Sequence, residues 1–304
     1  MSTKTESPHN TIRTEILKRL NEKDYKLEFT NSDIAEPITS FEQKIELIPH
    51  ILGVEVQPIV PGQPEISVDV HRPKLKIDKK GYVCYWFNEI ISEKTSQWEK
   101  VLESLIDSAH KSFMIHLNAF ILNEMVINVS YRNIGTGAGY YGNYNLGSVD
   151  TPLHITPENV LEKIYELGEV LREQNHWVSG EMFLVVPNVV WRLISLSPEG
   201  NAALEIDRAN MIIDGSCPKR ILGFNVYEAN TVSLKYIDSH PCDYMIAGHR
   251  HAYAQAASHL PPRISVPEDN IGTKIKIPFS WGGAMLYPDW IAVAFAWFDP
   301  QITY

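Results

Sequence analysis

His249-Arg250-His251 is the sharpest metal-binding pattern in the chain, with His240 upstream and His259 downstream. Side chains two apart on a strand face the same way, so His249 and His251 could hold one ion between them. Zinc takes three or four ligands, and Asp238, His240 and His259 are the candidates for the remainder. The surrounding AGHRHAYAQAA, however, reads as a strand that gives way to a small-residue helix inside the motif. That switch splays the two imidazoles. The expectation is two partly exposed histidines with ordinary hydrogen bonds and no metal.

Gly137-Ala138-Gly139-Tyr140-Tyr141-Gly142 satisfies G-x-G-x-x-G. A dinucleotide site needs a helix to open at once, so that its first amides hold the pyrophosphate. Asn143-Tyr144-Asn145-Leu146-Gly147 and then Pro152 follow instead, and the tyrosines crowd the approach that glycines would open. The segment reads as a surface loop whose tyrosines could pack at a subunit contact. The sequence has no G-x-x-x-x-G-K-[ST], no G-x-S-x-G elbow and no H-E-x-x-H. Glu162 with Glu166, and Glu169 with Glu173, read as a solvated helix face. No catalytic residue, cofactor site or metal site is expected, and the chain is read as a non-enzyme.

The elements that would position these residues follow from periodicity. Thr11–Leu20 is an amphipathic helix candidate, with Ile12, Ile16, Leu17 and Leu20 on one side. The polar residues 1–50 otherwise read as an arm with little core of their own, and Thr30–Ile38 as loop. VEVQPIV and EISVDVH, within Val54–His71, alternate as strands around Pro61-Gly62-Gln63-Pro64. Such a ribbon is not stable alone in water and must lie on something. Lys74–Ile77 and Tyr82–Phe87 read as a second hairpin. Trp98, Leu102, Leu105, Ala109, Phe113, Leu117, Phe120 and Ile121 recur at helical spacing, giving a long helix from Ser96 to about Met125, with a strand at Met125–Tyr131.

Further on, Thr156 and Pro157 read as the N-cap and first position of a helix. EMFLVVP is a buried strand and NVVWRLISLS a short helix. KRILGFNVYEANTV is a strand turn around a glycine. IPFSWGGAMLYPDWIAVAFAWF reads as an apolar hairpin bent at Pro288. In its second arm Trp290, Ala292, Ala294, Ala296 and Phe298 share one face, and Ile291, Val293, Phe295 and Trp297 the other. Both faces are apolar, which predicts a central strand.

Composition narrows the function classes. With 44% hydrophobic and 21% charged residues the balance is that of a globular protein. No apolar run is long enough to cross a bilayer, and the first residues lack a signal-peptide core, so synthesis in the cytoplasm without export is expected. Cys84, Cys217 and Cys242 are too scattered for a disulfide framework. A net charge of −10 argues against a duplex-binding surface. The charge is uneven: Arg72, Lys74, Lys76, Lys79 and Lys80 cluster with only Asp78 opposing them, whereas Asp150–Asp207 is acidic. Opposite patches on one chain suit association between copies.

The order of these segments, from Ile51 to Phe298, resembles the major capsid proteins of tailed bacteriophages, the Hong Kong 97-like shell fold shared with encapsulins. The weight lies in order and spacing, since the individual motifs carry no signature residue. The resemblance implies an α+β fold divided into an N-terminal arm (1–50), an extended loop (51–73), a peripheral domain with a long spine helix (74–130), an axial domain (131–270), and C-terminal strands returning to the peripheral domain (271–304). It places the tip of the extended loop, Pro58, Ile59, Val60, Pro61, Gly62 and Gln63, on a neighbouring subunit. It implies self-association into pentamers and hexamers of an icosahedral bacteriophage head around double-stranded DNA bound without sequence specificity. A separate scaffolding protein and a portal are implied during assembly, a decoration protein is an optional partner, and no membrane is involved. The virion is the expected location. The alternatives are an encapsulin-like nanocompartment shell and a small metal-dependent enzyme using His249 and His251.

Overall fold

The computed structural model describes residues 8–32, 44–46, 74–87, 98–197, 220–229, 235–237, 240–265 and 272–299. In chain order the elements are α1 (Pro8–Asn21), β1 (Lys44–Glu46), β2 (Lys74–Lys76), β3 (Lys79–Phe87), α2 (Trp98–Asn128), β4 (Leu153–Ile155), α3 (Val160–Glu173), β5 (Met182–Val186) and α4 (Asn188–Leu196). There follow β6 (Arg220–Ile221), β7 (Phe224–Glu228), β8 (Lys235–Ile237), β9 (His240–His249), β10 (Tyr253–His259), β11 (Arg263–Ser265), β12 (Thr273–Met285) and β13 (Ile291–Phe298). The fold is α+β. The extended loop tip expected at Pro58–Gln63 lies outside the described residues, as do Cys217 and Asp238.

The chain divides into two compact units. The first comprises Met1–Lys26, Ser32–Phe113 and Ala254–Ala284. In it β12 is the organising strand, flanked by β10 and β11 and paired antiparallel with β3 from Thr273 opposite Phe87 to Trp281 opposite Lys79. The hairpin expected between Lys74–Ile77 and Tyr82–Phe87 does not form. β2 pairs with β1 instead, because β3 is committed along its whole length to the longer ladder with β12.

The N-terminal residues are less arm-like than their polarity predicts. Ile12, Ile16 and Leu20 of α1 are buried, and so is Tyr25 beyond it. Tyr25 meets Phe113 and Phe279 edge-on at 5.9 and 6.2 Å, and Phe113 stacks on Phe279 at 4.3 Å. This aromatic cluster, closed by Trp281 at 5.5 Å from Phe113, is part of the buried core of the first unit.

The second unit comprises Leu27–Asn31, Met114–Tyr253 and Met285–Tyr304. Its sheet runs β4-β13-β9-β5-β7-β6, with β8 on β9. β13 lies between β4 (parallel) and β9 (antiparallel), the central place its two apolar faces predict. Ala292, Ala294, Ala296 and Phe298 pack with Val160, Ile164, Leu167 and Leu171 of α3 and with Val190 and Ile194 of α4. Alanines on that face let the helices approach closely. The strand turn around Gly223 forms as expected, with Leu222 and Gly223 both at positive φ.

Four local expectations are corrected. α2 runs through to Asn128, and the strand expected at Met125–Tyr131 is helix followed by a 3-10 turn at Tyr131–Asn133. α3 opens at Val160 after a turn, with Asn159 rather than Thr156 as its cap, and the Thr156 N–H donates to Asn159 Oδ1 at 2.8 Å. Tyr253–His259 is a strand, not a helix, because it is laid alongside β12. β12 and β13 are not a hairpin: each pairs with other strands, and the chain is redirected between them where the Leu286 and Tyr287 N–H groups both donate to Ala252 O.

Candidate functional site

His249 ends β9 and His251 sits in the tight turn before β10, closed by the Ala252 N–H donating to His249 O at 2.8 Å. Both side chains are buried, not partly exposed as the sequence suggests, because the turn lies under the strand ends rather than at the surface of the sheet. The His251 backbone N–H donates to His249 Nδ1 at 3.2 Å, which assigns the ring proton to Nε2. That Nε2 lies 2.8 Å from Glu181 Oε2. His251 Nε2 stands 3.8 Å from the same oxygen and accepts from Arg250 Nε at 3.3 Å. The rings are 5.3 Å apart and tilted by 35°.

The structure thus brings the two histidines to one carboxylate, Glu181, which sequence reasoning did not single out. The other ligands considered do not converge: His240 stacks on Trp297 at 4.2 Å, while His259 faces the Tyr25 hydroxyl at 3.3 Å. Among the described residues, no group of three His, Cys, Asp or Glu side chains is placed to hold a metal ion. Burial pushes His259 below its ordinary pKa, and does the same to His176, against the pull of Asp289.

The glycine-rich segment is a loop closed on itself. Ala138 and Tyr144 exchange both backbone hydrogen bonds, at 2.8 and 3.1 Å, and the Gly139 N–H donates to Arg132 O at 2.7 Å. No helix opens after Gly142, so there is no ring of free amides to receive a pyrophosphate. Gly139 has a φ of +93°, and a Cβ there would press on the Tyr144 ring and Glu173. Gly147 has a φ of +74° and lies against the backbone of β13, where any side chain would strike Phe295 O.

The outer surface of this loop is aromatic. Tyr131, Tyr140 and Tyr141 are 77%, 61% and 72% exposed. The Arg132 guanidinium carbon lies 5.6 Å from the Tyr131 ring centre and 5.9 Å from that of Tyr140. Its Nε donates to the Tyr131 hydroxyl at 3.1 Å, and the Tyr140 and Tyr141 rings meet edge to face at 5.1 Å. Beneath it, buried Asn133 donates to Asp289 O and Ile291 O, both at 2.8 Å, and accepts from Gln174 Nε2. Nothing in the local sequence marks that asparagine.

The first unit carries a groove of about 1230 Å³ bordered by Arg13, Lys80, Arg263, Lys274 and Lys276, with no carboxylate among its described lining residues. Lys80 belongs to the basic cluster read from the sequence. Lys276 lies over the Tyr82 ring at 4.9 Å. The groove and the tyrosine loop are both surfaces.

Comparison with solved structures decides what kind of fold carries these surfaces. The chain aligns with a chain of the satellite phage P4 procapsid (including its size determination, Sid, protein) over 98% of its own length and 93% of the other, at a TM-score of 0.57 and 10% identity. The fold is that of phage capsid proteins. The capsid of Ralstonia phage GP4 matches at a TM-score of 0.53 and 11% identity, covering 90% and 89% of the two chains. The capsid of cyanophage P-SCSP1u matches at 0.50 and 10%, covering 90% and 87%. No protein-family model matches the chain, and no curated protein matches it in sequence. The likeness is one of fold, at 10–11% identity. Among the described residues, no helix is long and apolar enough to cross a membrane.

Proposed function

We propose that this chain is a shell-forming capsid protein that associates with copies of itself into the head of a tailed double-stranded DNA bacteriophage. One observation carries the reading: nearly the whole chain, and nearly the whole of a procapsid chain, share one fold. Such a subunit acts through its surfaces. The exposed tyrosines around Arg132 and the cationic groove of the first unit are features that association between copies would use.

In this reading 74–130 serves as the peripheral domain with α2 as its spine, 131–270 as the axial domain, and 51–73 as a loop reaching a neighbour through Pro58–Gln63. Copies form pentamers and hexamers, assisted by a scaffolding protein and a portal, and the DNA is enclosed without sequence-specific contacts. Deleting Pro58–Gln63 tests the mechanism. The trimmed protein should keep its circular dichroism spectrum and melting temperature yet fail to assemble, because one inter-subunit contact is lost in every copy. Normal closed shells from the trimmed protein would remove the loop from the mechanism. A drop in the melting temperature of the isolated subunit would show that the loop folds back on its own chain.

A further inference from the structure

The open face of the β3–β12–β11 sheet sorts its residues into columns. Residues directly opposite each other in an antiparallel ladder share a face. Trp86 with Lys274, Cys84 with Lys276, and Tyr82 with Pro278 therefore stand on one side, joined by Arg263 opposite Lys276 and Ser265 opposite Lys274. Burial agrees: Lys274, Lys276 and Pro278 are half-buried, whereas Ile275, Ile277 and Phe279 face the core. β3 thus contributes an aromatic column, with Tyr82 64% and Trp86 42% exposed, beside a cationic column from β12 and β11.

Arg13 and Lys80 extend the charge along the groove that this face lines. Arg13, Arg263, Lys274 and Lys276 make no ion pair among the described residues. The carboxylates nearest in sequence are Asp78, in the turn entering β3 and not in the lining, and Glu89, Glu268 and Asp269, outside the described residues. The cations come from α1, β3, β11 and β12, so no stretch of sequence displays them together, and a net charge of −10 hides them.

A column of rings beside a column of cations suits a ligand with a stacking edge and an anionic edge. Single-stranded nucleic acid has both, one base and one phosphate per nucleotide. An acidic peptide would satisfy the cations and leave both rings with nothing to stack on. At about 3.3 Å per strand residue, Tyr82 and Trp86 stand roughly 13 Å apart, so they serve separate bases rather than sandwich one.

We propose that this face binds an extended segment of single-stranded nucleic acid without sequence preference. Its phosphates lie along Arg263, Lys274 and Lys276, and its bases on Tyr82 and Trp86. Fluorescence anisotropy of a labelled oligothymidylate of about 12 nucleotides tests it, a length within the range such grooves cover. The isolated subunit is used below its assembly concentration, so that no neighbouring copy competes for the groove. Binding at low salt is expected, with log K falling against log salt at a slope of about −2 to −3.5, the value for roughly three to five phosphates on a single strand. Lys274→Gln with Lys276→Gln should weaken binding about tenfold or more and reduce the slope by roughly 1 to 1.5. Tyr82→Ser with Trp86→Ser should weaken it about tenfold or more at an unchanged slope, and should not affect a duplex of the same length, whose bases are already stacked. Circular dichroism checks each fold.

An aromatic variant that binds the oligonucleotide as well as wild type would reduce the face to a patch of charge and overturn the assignment. Oligoglutamate of equal charge competing as well as the oligonucleotide would overturn it in favour of an acidic protein segment. Absence of binding at low salt, or binding untouched by the lysine variant, would also overturn it. The shell reading stands apart from all of these outcomes, because they concern the isolated subunit.

Discussion

The backbone N–H of Tyr140 donates a 3.0 Å hydrogen bond to Glu173 Oε2, fastening the tyrosine loop to the last residue of α3. A charged acceptor makes this bond stronger than a neutral one, on the order of 1.5–3 kcal/mol. Glu173→Ala should therefore speed exchange of the Tyr140 amide by roughly tenfold or more, while the global melting transition moves little. Unchanged exchange would mean that the loop is held by its own turn alone.

Phe113 is buried between Phe279, on which it stacks at 4.3 Å, and the edges of Tyr25 and Trp281. Phe113→Ala should cost about 3–5 kcal/mol, a large share of the roughly 5–15 kcal/mol a domain has in hand. Chemical denaturation and soluble yield report it. A loss below about 1 kcal/mol would contradict this description of the first unit's core.

How much of this was legible in the residues depends on range. α3, α4, β5 and β13 are plain, because their apolar spacing and their burial are set by one nearby sheet. β10 is not, since Ala252, Ala254, Ala256 and Ala257 suit a helix equally well, and only the neighbouring β12 makes them a strand. The end of α2 misleads for the opposite reason. Val126 and Ile127 favour a strand locally, yet the helix continues and leaves Ile127 74% exposed. The β3–β12 ladder joins segments far apart in the chain, so no window of sequence carries it. Of the candidate site, the His249–His251 pair and the tyrosines were visible, whereas Glu181 and Asn133 owe their roles to contacts across the fold.

Asn133 illustrates the last point in energetic terms. Its amide donates to the buried Ile291 O and to the partly buried Asp289 O, and its own oxygen accepts from Gln174 Nε2. Asn133→Leu leaves all three without this partner; the buried Ile291 O bears the full orphaning cost of about 1–3 kcal/mol, and the two partly buried groups less. A fall of roughly 2–3 kcal/mol in unfolding free energy is expected, measured by urea titration. A near-neutral variant would show that water or rearrangement replaces the amide.

Asp243 gives the clearest pH dependence. Burial raises its carboxyl pKa to about 6, although the Tyr244 N–H, donating at 2.7 Å, pulls the other way. The folded pKa thus lies above the unfolded value near 3.8, so the folded state holds the proton more tightly between the two. The associated stability is full below about pH 4 and lost as pH rises through about 6. Asp243→Asn should be more stable than wild type by about 1–2 kcal/mol near pH 7.5, and the difference should vanish near pH 4. Parallel melting curves for the two proteins across this range would contradict the assignment.

The most direct measurement on the central claim is electron microscopy of the wild-type protein expressed with its assembly partners, coupled to sedimentation of the same sample. Closed, regular shells are expected, with a wall that on reconstruction is built from rings of this subunit. A lone monomer under every assembly condition, with scaffold supplied, would contradict it.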